Sequence, residues 1–90
     1  MYSLVFAPQA LEDLSKLKKN EPAAFKKAGK ILVELQVHPK SGTGKPEPLS
    51  GDRIGQWSRR ISLKHRLIYE IEEDLVKVDV LSAYGHYDDK

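Results

Sequence analysis

Three strand-like segments follow one another in the second half of the chain, with only two residues between neighbours. They read QWSRRIS at 56–62, HRLIYEIE at 65–72 and LVKVDVLSA at 75–83. Strands joined by such short connections pair with their chain neighbours in opposite directions, because a parallel crossover needs about a dozen residues or more. The pattern therefore predicts an antiparallel meander.

Alternation within the last of these segments indicates how the sheet is exposed. Val76, Val78 and Val80 alternate with Lys77 and Asp79. This period of two predicts one face in the core and one face toward solvent. The rest of the chain must then cover the apolar face.

Residues 1–40 predict a strand followed by two amphipathic helices. Residues 2–6 (YSLVF) have the composition of a strand, and Pro8 suits the first turn of a helix. Asn20 is expected to cap the second helix, which ends before His38-Pro39. Gly29, inside the second helix, predicts a close approach to a neighbouring element.

The expected fold is α+β, with the element order β-α-α-β-β-β. A helical hairpin packs on one face of a mainly antiparallel sheet, and the opposite face is left uncovered. A chain of 90 residues without repeats predicts a single domain, residues 1–90.

Composition narrows the class of protein further. The chain has no cysteine, so it has no disulfide framework and no thiolate metal site. No apolar run approaches the roughly 18 residues of a membrane span, and the N-terminus lacks the basic region of a secretory signal. A cytoplasmic protein is expected. Residues 41–66 carry six Lys/Arg against two acids, and this basic block is a candidate surface for phosphate groups.

The glycines and prolines of residues 40–55 predict a connection without regular structure. Within it, the stretch SGTGKPEPL at 41–49 places one carboxylate, Glu47, between Pro46 and Pro48. Two flanking prolines fix φ on either side and reduce the entropy lost when the carboxylate is held in one position. The stretch is not a phosphate-binding P-loop, because Lys45 is followed by proline rather than Ser or Thr. A stiff surface connector with an incidental acid is the alternative interpretation.

Arginines and one histidine complete the set of candidate residues. Arg60 and Arg66 could share a sheet face across the turn between their strands, with Arg59 nearby, and two guanidiniums on an uncovered face would bind an anion. Solvated arginines that brace a strand glutamate, Glu70 or Glu72, are the alternative. His86 can exchange a proton near neutral pH, although a histidine this near the terminus is also an ordinary surface residue. His38 and His65 are interpreted as structural, and the histidine spacing does not suit a zinc site.

Four ordered motifs resemble one known family. They are KPEPL at 45–49, WSRRI at 57–61, HRLIY at 65–69 and GHY at 85–87, and together they resemble the YoeB (Txe/YoeB) branch of the RelE-like toxins. The resemblance implies the RelE-like fold and a ribosome-dependent endoribonuclease that cuts mRNA in the ribosomal A site without a metal or other cofactor. It also implies a YefM-like antitoxin whose C-terminal segment wraps the toxin, and a homodimer.

The resemblance also implies a role for each matching residue. Glu47 would be the general base, Arg66 the phosphate-stabilising arginine and His86 the general acid. The residues that would assist at the substrate are Lys45, Arg60 and Tyr87. The tail departs from the family pattern, because Asp88, Asp89 and Lys90 follow the tyrosine.

The chemistry is consistent with these residue types. Without a metal, RNA cleavage uses the 2′-hydroxyl as nucleophile and needs a base, an acid and cations at the phosphate. The expected products are a 2′,3′-cyclic phosphate and a 5′-hydroxyl. Two alternatives are a ParE-like toxin that acts on DNA gyrase without cutting RNA, and a non-catalytic RNA-binding domain, which only the basic block supports.

Overall fold

The computed structural model describes residues 1–85, which form two α-helices, a one-turn 3₁₀-helix and a five-stranded sheet. The elements in chain order are β1 (Ser3–Phe6), α1 (Pro8–Asn20), α2 (Pro22–Leu35), β2 (Glu47–Pro48), β3 (Gln56–Arg60), β4 (Arg66–Glu72) and β5 (Lys77–Ser82). Their order across the sheet is β1-β5-β4-β3-β2. Only the β1–β5 pair within these residues is parallel. The predicted α+β class, with a helical pair on a mainly antiparallel sheet, is confirmed.

The prediction of an unstructured connection from residue 40 to residue 55 was wrong at two points, because it contains a one-turn 3₁₀-helix (Gly51–Arg53) and a short strand. Glu47 pairs with Ser58 and Pro48 pairs with Trp57, so that the short strand β2 adds a fifth strand at the edge of the sheet. A two-residue strand has no alternation that a sequence pattern could reveal. Pro48 is tolerated there because an edge strand has one side without ladder hydrogen bonds.

Two expectations about the helices were also wrong. Asn20 is the last residue of α1, and Glu21 occupies the N-cap position of α2 without a capping hydrogen bond from its side chain. The Glu21 carboxylate is instead directed to His65, 2.7 Å away. Gly29 does not mark a close approach, because a Cβ built there would meet no atom within 4 Å.

The core lies between the helices and one face of the sheet. Its fully buried members include Leu17 of α1, Ile31 of α2, Tyr69 of β4 and Val80 of β5. Val76, predicted to share the buried face, is 45% exposed because it lies in the turn before β5 with φ of 50°. The buried alternation of β5 therefore begins at Val78.

Strand register decides which residues lie on the face opposite the helices. Tyr69 faces the core, so its neighbours along β4, Ile68 and Glu70, point the other way. The cross-strand partners of Ile68 and Glu70 on β3 are Ser58 and Gln56, which share that second face. None of the helices within residues 1–85 has the length and apolar character needed to cross a membrane.

Candidate functional site

A small pocket forms on the second face of the sheet, where β2, β3 and β4 meet. It has a volume of about 60 Å³ and is lined by Gly44, Lys45, Glu47, Ser58, Arg60 and Arg66. Pockets for whole small molecules are typically about 300–1,000 Å³. A site of this size can hold a charged group of a larger ligand, with the remainder of the ligand outside.

Strand pairing explains why these side chains converge. Glu47 is the register partner of Ser58, and Arg60 is the register partner of Arg66. Since Ser58 and Arg60 are two residues apart on β3, all four point to the same face. Directly opposite residues have Cβ atoms about 4.5–5.5 Å apart, and diagonal neighbours lie about 7–8 Å apart. The predicted sharing of one face by Arg60 and Arg66 is confirmed.

The pocket carries excess positive charge. Three cations, Lys45, Arg60 and Arg66, surround the single carboxylate of Glu47. In the described part of the chain, no ion pair involves any of these four residues. Like charges directly opposite in a sheet repel each other, so Arg60 and Arg66 favour an anion between them.

The alternative in which the arginines brace a strand glutamate does not fit the ion pairs. Glu72 pairs with Lys77 at 3.2 Å. Glu70 faces Gln56 in the ladder rather than an arginine. The Arg66 side chain donates from Nη1 to the carbonyl of Ser62 at 3.4 Å, which leaves other N–H groups of the guanidinium able to bind a ligand.

The segment that carries Glu47, residues 44–48, is fastened to β3. The N–H of Arg60 donates to the carbonyl of Gly44 at 2.6 Å. Gly44 has a φ of 89°, and a Cβ there would lie 2.7 Å from the Arg60 carbonyl oxygen. Lys45 adopts φ of 52°, a region that side-chain-bearing residues rarely occupy. We call this the Glu47 segment.

Arg59, the sequence neighbour of Arg60, does not line the pocket. It points to the helix side and its side chain is fully buried. Its Nη1 lies 2.9 Å from Oε1 of Glu34, and its Nε donates to the Tyr69 hydroxyl at 3.1 Å. Strand alternation sends adjacent residues to opposite faces, which separates Arg59 from Arg60.

The remaining bonds of Arg59 organise the connection that precedes the Glu47 segment. Nη2 donates to the carbonyls of His38 and Ser41, and Nη1 donates to the carbonyl of Thr43 at 3.4 Å. Glu34 accepts hydrogen bonds from both the hydroxyl and the N–H of Thr43, at 2.6 and 2.7 Å. We call Arg59, Glu34, Thr43 and Tyr69 the Arg59 cluster.

Two groups of the Arg59 cluster titrate away from their ordinary range. The Thr43 hydroxyl and the Arg59 guanidinium hold the pKa of Glu34 below its usual value. Burial raises the pKa of Tyr69, although Arg59 partly offsets that effect. The Tyr69 hydroxyl donates to the Pro39 carbonyl at 2.7 Å. Sequence reasoning missed this cluster, because its members lie on four different segments with no common motif.

The two histidines interpreted as structural lie outside the pocket. His65 is buried between Glu21 and Gly85. His38 is exposed beyond α2, where its carbonyl accepts from Arg59. His86 and Tyr87, predicted as general acid and pocket residue, lie outside the described residues. Up to residue 85 no three His, Asp or Glu side chains are grouped as metal ligands would be.

Comparison with known proteins gives the class of protein. Residues 6–87 match the model of the YoeB-like toxin of bacterial type II toxin-antitoxin systems. Toxin YoeB of Mycobacterium bovis is 40% identical over 87 residues, covering 97% of this chain and 100% of the relative. Toxin YoeB of Streptomyces coelicolor is 33% identical, covering 93% and 98%.

Solved structures agree in fold. The YoeB/ParE toxin from Agrobacterium tumefaciens superposes with a TM-score of 0.88 at 30% identity, covering 94% of this chain and 99% of that one. The YoeB dimer from Staphylococcus aureus gives 0.82 at 32% identity, covering 96% and 98%. The YoeB-YefM complex from the same organism gives 0.81, covering 97% and 99%. The chain belongs to the YoeB-like toxins of type II toxin-antitoxin systems and has the RelE-like fold.

Proposed function

We propose that this chain is a ribosome-dependent endoribonuclease that inhibits translation by cutting mRNA in the ribosomal A site. The observation that carries the proposal is the pocket in which a carboxylate, Glu47, lies among Lys45, Arg60 and Arg66. A phosphodiester that enters this pocket meets a proton acceptor and three cations. That combination suits transfer of a phosphoryl group to a neighbouring hydroxyl.

In the proposed reaction the 2′-hydroxyl of the RNA attacks the adjacent phosphorus while Glu47 removes its proton. Arg66, with Lys45 and Arg60 beside it, stabilises the charge that develops on the non-bridging oxygens. The P–O5′ bond breaks, and His86 gives a proton to the leaving 5′-oxygen, while Tyr87 would assist in binding the substrate. The products are a 2′,3′-cyclic phosphate and a 5′-hydroxyl. Each well-placed proton donor or acceptor contributes about 10²–10⁴ in rate.

This mechanism assigns no step to a metal or other cofactor, because the 2′-hydroxyl is supplied by the substrate. The exposed pocket orients little of the RNA by itself, since Lys45, Glu47 and Arg60 are all exposed. The ribosome would supply the orientation by holding the mRNA. This raises the effective concentration of the scissile phosphodiester at the pocket. A protein that acts on translating ribosomes works in the cytoplasm. We propose that residues 1–90 form the single domain that carries this activity.

The proposed partner is a YefM-like antitoxin whose C-terminal segment wraps the toxin. The support is the structure of the S. aureus relative in complex with YefM. A homodimer is proposed from the S. aureus YoeB dimer. A short reading frame beside this gene, with an acidic C-terminal half of low hydrophobicity, would encode such a partner that folds on binding.

The test is Glu47→Gln, assayed by primer extension on mRNA in translating ribosomes. Glu70→Gln is the matched control, because Glu70 lies on the same sheet face but does not line the pocket. We expect Glu47→Gln to lose about 10² or more in cleavage rate, and Glu70→Gln to cut like the wild type. His86→Ala is expected to lose a similar factor. Undiminished cutting by Glu47→Gln would refute the role of the base.

A second candidate function is a ParE-like action on DNA gyrase, because the A. tumefaciens neighbour is described as a YoeB/ParE toxin. This function does not require the Glu47 pocket. A gyrase supercoiling assay beside the RNA assay separates the two: inhibition of supercoiling that survives Glu47→Gln would support the gyrase function. Simple RNA binding predicts steeply salt-dependent affinity and no cleavage products.

A further inference from the structure

We infer that His65 is a positioning residue: its ring fixes Gly85, and so determines where the chain leaves the sheet toward His86. The inference rests on the proposed function, in which His86 is the general acid. Four contacts within the described residues support the inference. Three are made by the His65 ring and one by the Gly85 carbonyl.

His65 is 3% exposed, and both ring nitrogens are occupied. Nε2 lies 2.7 Å from Oε2 of Glu21, at the start of α2. Nδ1 lies 2.8 Å from the backbone nitrogen of Gly85. The imidazole also contacts the Tyr84 ring, with ring centres 4.3 Å apart and planes inclined by 42°. The imidazole therefore bridges the N-terminus of a helix and the end of the described chain.

The donors and acceptors define which tautomer is present. A backbone N–H can only donate, so Nδ1 of His65 must carry a lone pair to accept from Gly85. The proton of the neutral ring then sits on Nε2 and is donated to the Glu21 carboxylate. Glu21 thus selects the tautomer that can hold Gly85, as a carboxylate commonly does for a functional histidine.

Both the N–H and the carbonyl of Gly85 are hydrogen-bonded. Its N–H is bound by the His65 ring, and its carbonyl accepts from the N–H of Arg66 at 3.0 Å. Its φ of 75° turns the chain in the left-handed region that glycine favours. Because Arg66 also lines the pocket, two consecutive residues hold Gly85, and one of them lines the phosphate site.

The experiment compares His65→Asn with His65→Gln. The oxygen of asparagine can occupy the place of Nδ1 and accept from Gly85, whereas the amide of glutamine reaches the place of Nε2 and Glu21. Both variants remove the imidazole ring and its contact with Tyr84, so each controls for the packing loss of the other. Amide hydrogen exchange of Gly85 is measured by NMR without ribosomes, and cleavage is measured on translating ribosomes.

We expect Gly85 in His65→Gln to exchange about three- to tenfold faster than in the wild type, which corresponds to one lost hydrogen bond. His65→Asn should restore most of the protection. Single-turnover cleavage should follow the same order. Equal exchange and equal cleavage in both variants would reduce His65 to a packing residue. Faster Gly85 exchange with unchanged cleavage in His65→Gln would overturn the positioning role.

Two further results test the inference without relying on the folding of the variants, and separate its failure from that of the proposed function. In the wild type, the ring-nitrogen NMR signals should give a bare Nδ1 and a protonated Nε2, and a protonated Nδ1 would overturn the inference. If the wild type cuts no RNA, the proposed function fails and the positioning role in the reaction fails with it. The Gly85 contact is then judged by exchange alone.

Discussion

Nη1 of Arg59 and Oε1 of Glu34 lie 2.9 Å apart and join strand β3 to helix α2. The Arg59 side chain is fully buried, and three of its remaining bonds go to backbone carbonyls between residues 38 and 43. The connection before the Glu47 segment is therefore shaped by a side chain on the opposite face of the sheet. This relationship makes the pocket dependent on a cluster whose own side chains do not line it.

The first prediction concerns Arg59→Lys. Lysine keeps the charge but has three donors on a point-like ammonium, whereas the guanidinium has five in a planar fork. At least one partly buried acceptor would lose its donor, so we expect the free energy of unfolding to fall by about 1–3 kcal/mol. Urea denaturation measures this change in the free energy of unfolding. Arg60→Lys is the control, because exposed substitutions usually stay within about 0.5 kcal/mol. Equal stability of the two variants would contradict this role of Arg59.

The second prediction is a pH dependence that comes from Glu34. Hydrogen bonds from Thr43 and the charge of Arg59 lower the pKa of Glu34 in the folded state. A lowered folded pKa means that the stabilisation is present above the unfolded pKa, near 4.5, and is lost as the pH falls through the folded pKa. Glu34→Gln should therefore be less stable than the wild type at pH 7, and the difference should shrink below pH of about 4.

Urea denaturation at a series of pH values measures the Glu34 effect. Glu12→Gln, at an exposed position of α1, is the control. The difference between Glu12→Gln and the wild type should change little over the same range. A wild-type minus Glu34→Gln difference that stays constant down to pH of about 3 would rule out this contribution of Glu34.

The Arg59 cluster also marks the limit of what the sequence could predict. Arg59 and Arg60 are neighbours in one motif, and composition gives no reason to treat them differently. Only the pairing of β3 with its neighbours tells which of the two points into the core. Glu34 is 25 residues away from Arg59 in the chain, on an ordinary helix face, so no local pattern connects the two.

The pocket itself was more predictable. Strand alternation predicted the shared face of Arg60 and Arg66, whereas only the family resemblance grouped them with Lys45 and Glu47; all four line one pocket. Strand β2 could not be predicted, because two residues carry no period. The prediction that Asn20 caps α2 was wrong, because Glu21 takes the N-cap position. Glu21 is held there by a long-range contact with His65, which no local pattern reveals.

The third prediction tests the packing of the Glu47 segment with two glycines of similar backbone conformation. Gly44 and Gly51 have φ of 89° and 64°. A Cβ at Gly44 would lie 2.7 Å from the Arg60 carbonyl oxygen, whereas a Cβ at Gly51 would meet nothing within 4 Å. Both alanine variants pay backbone strain of about 1 kcal/mol or more, but only Gly44→Ala must also push the Glu47 segment away from β3.

We therefore expect Gly44→Ala to lose more stability in urea than Gly51→Ala, and to lose mRNA cleavage at temperatures where it is folded. Gly51→Ala should cut like the wild type. The steric explanation would be wrong if the two variants were equally stable and equally active.

The fourth prediction concerns the contact that Arg66 would make with the phosphate in the proposed reaction. Arg66 is half-buried at the start of β4, opposite Arg60, and donates to Ser62 from one nitrogen. A guanidinium can bind two phosphate oxygens at once, and an ammonium acts as a point charge. We expect Arg66→Lys to lower the single-turnover cleavage rate about 10- to 100-fold, which corresponds to one charged hydrogen bond, and to resemble Arg66→Gln more than the wild type. Cleavage by Arg66→Lys at the wild-type rate, with Arg66→Gln inactive, would mean that charge alone is needed at this position.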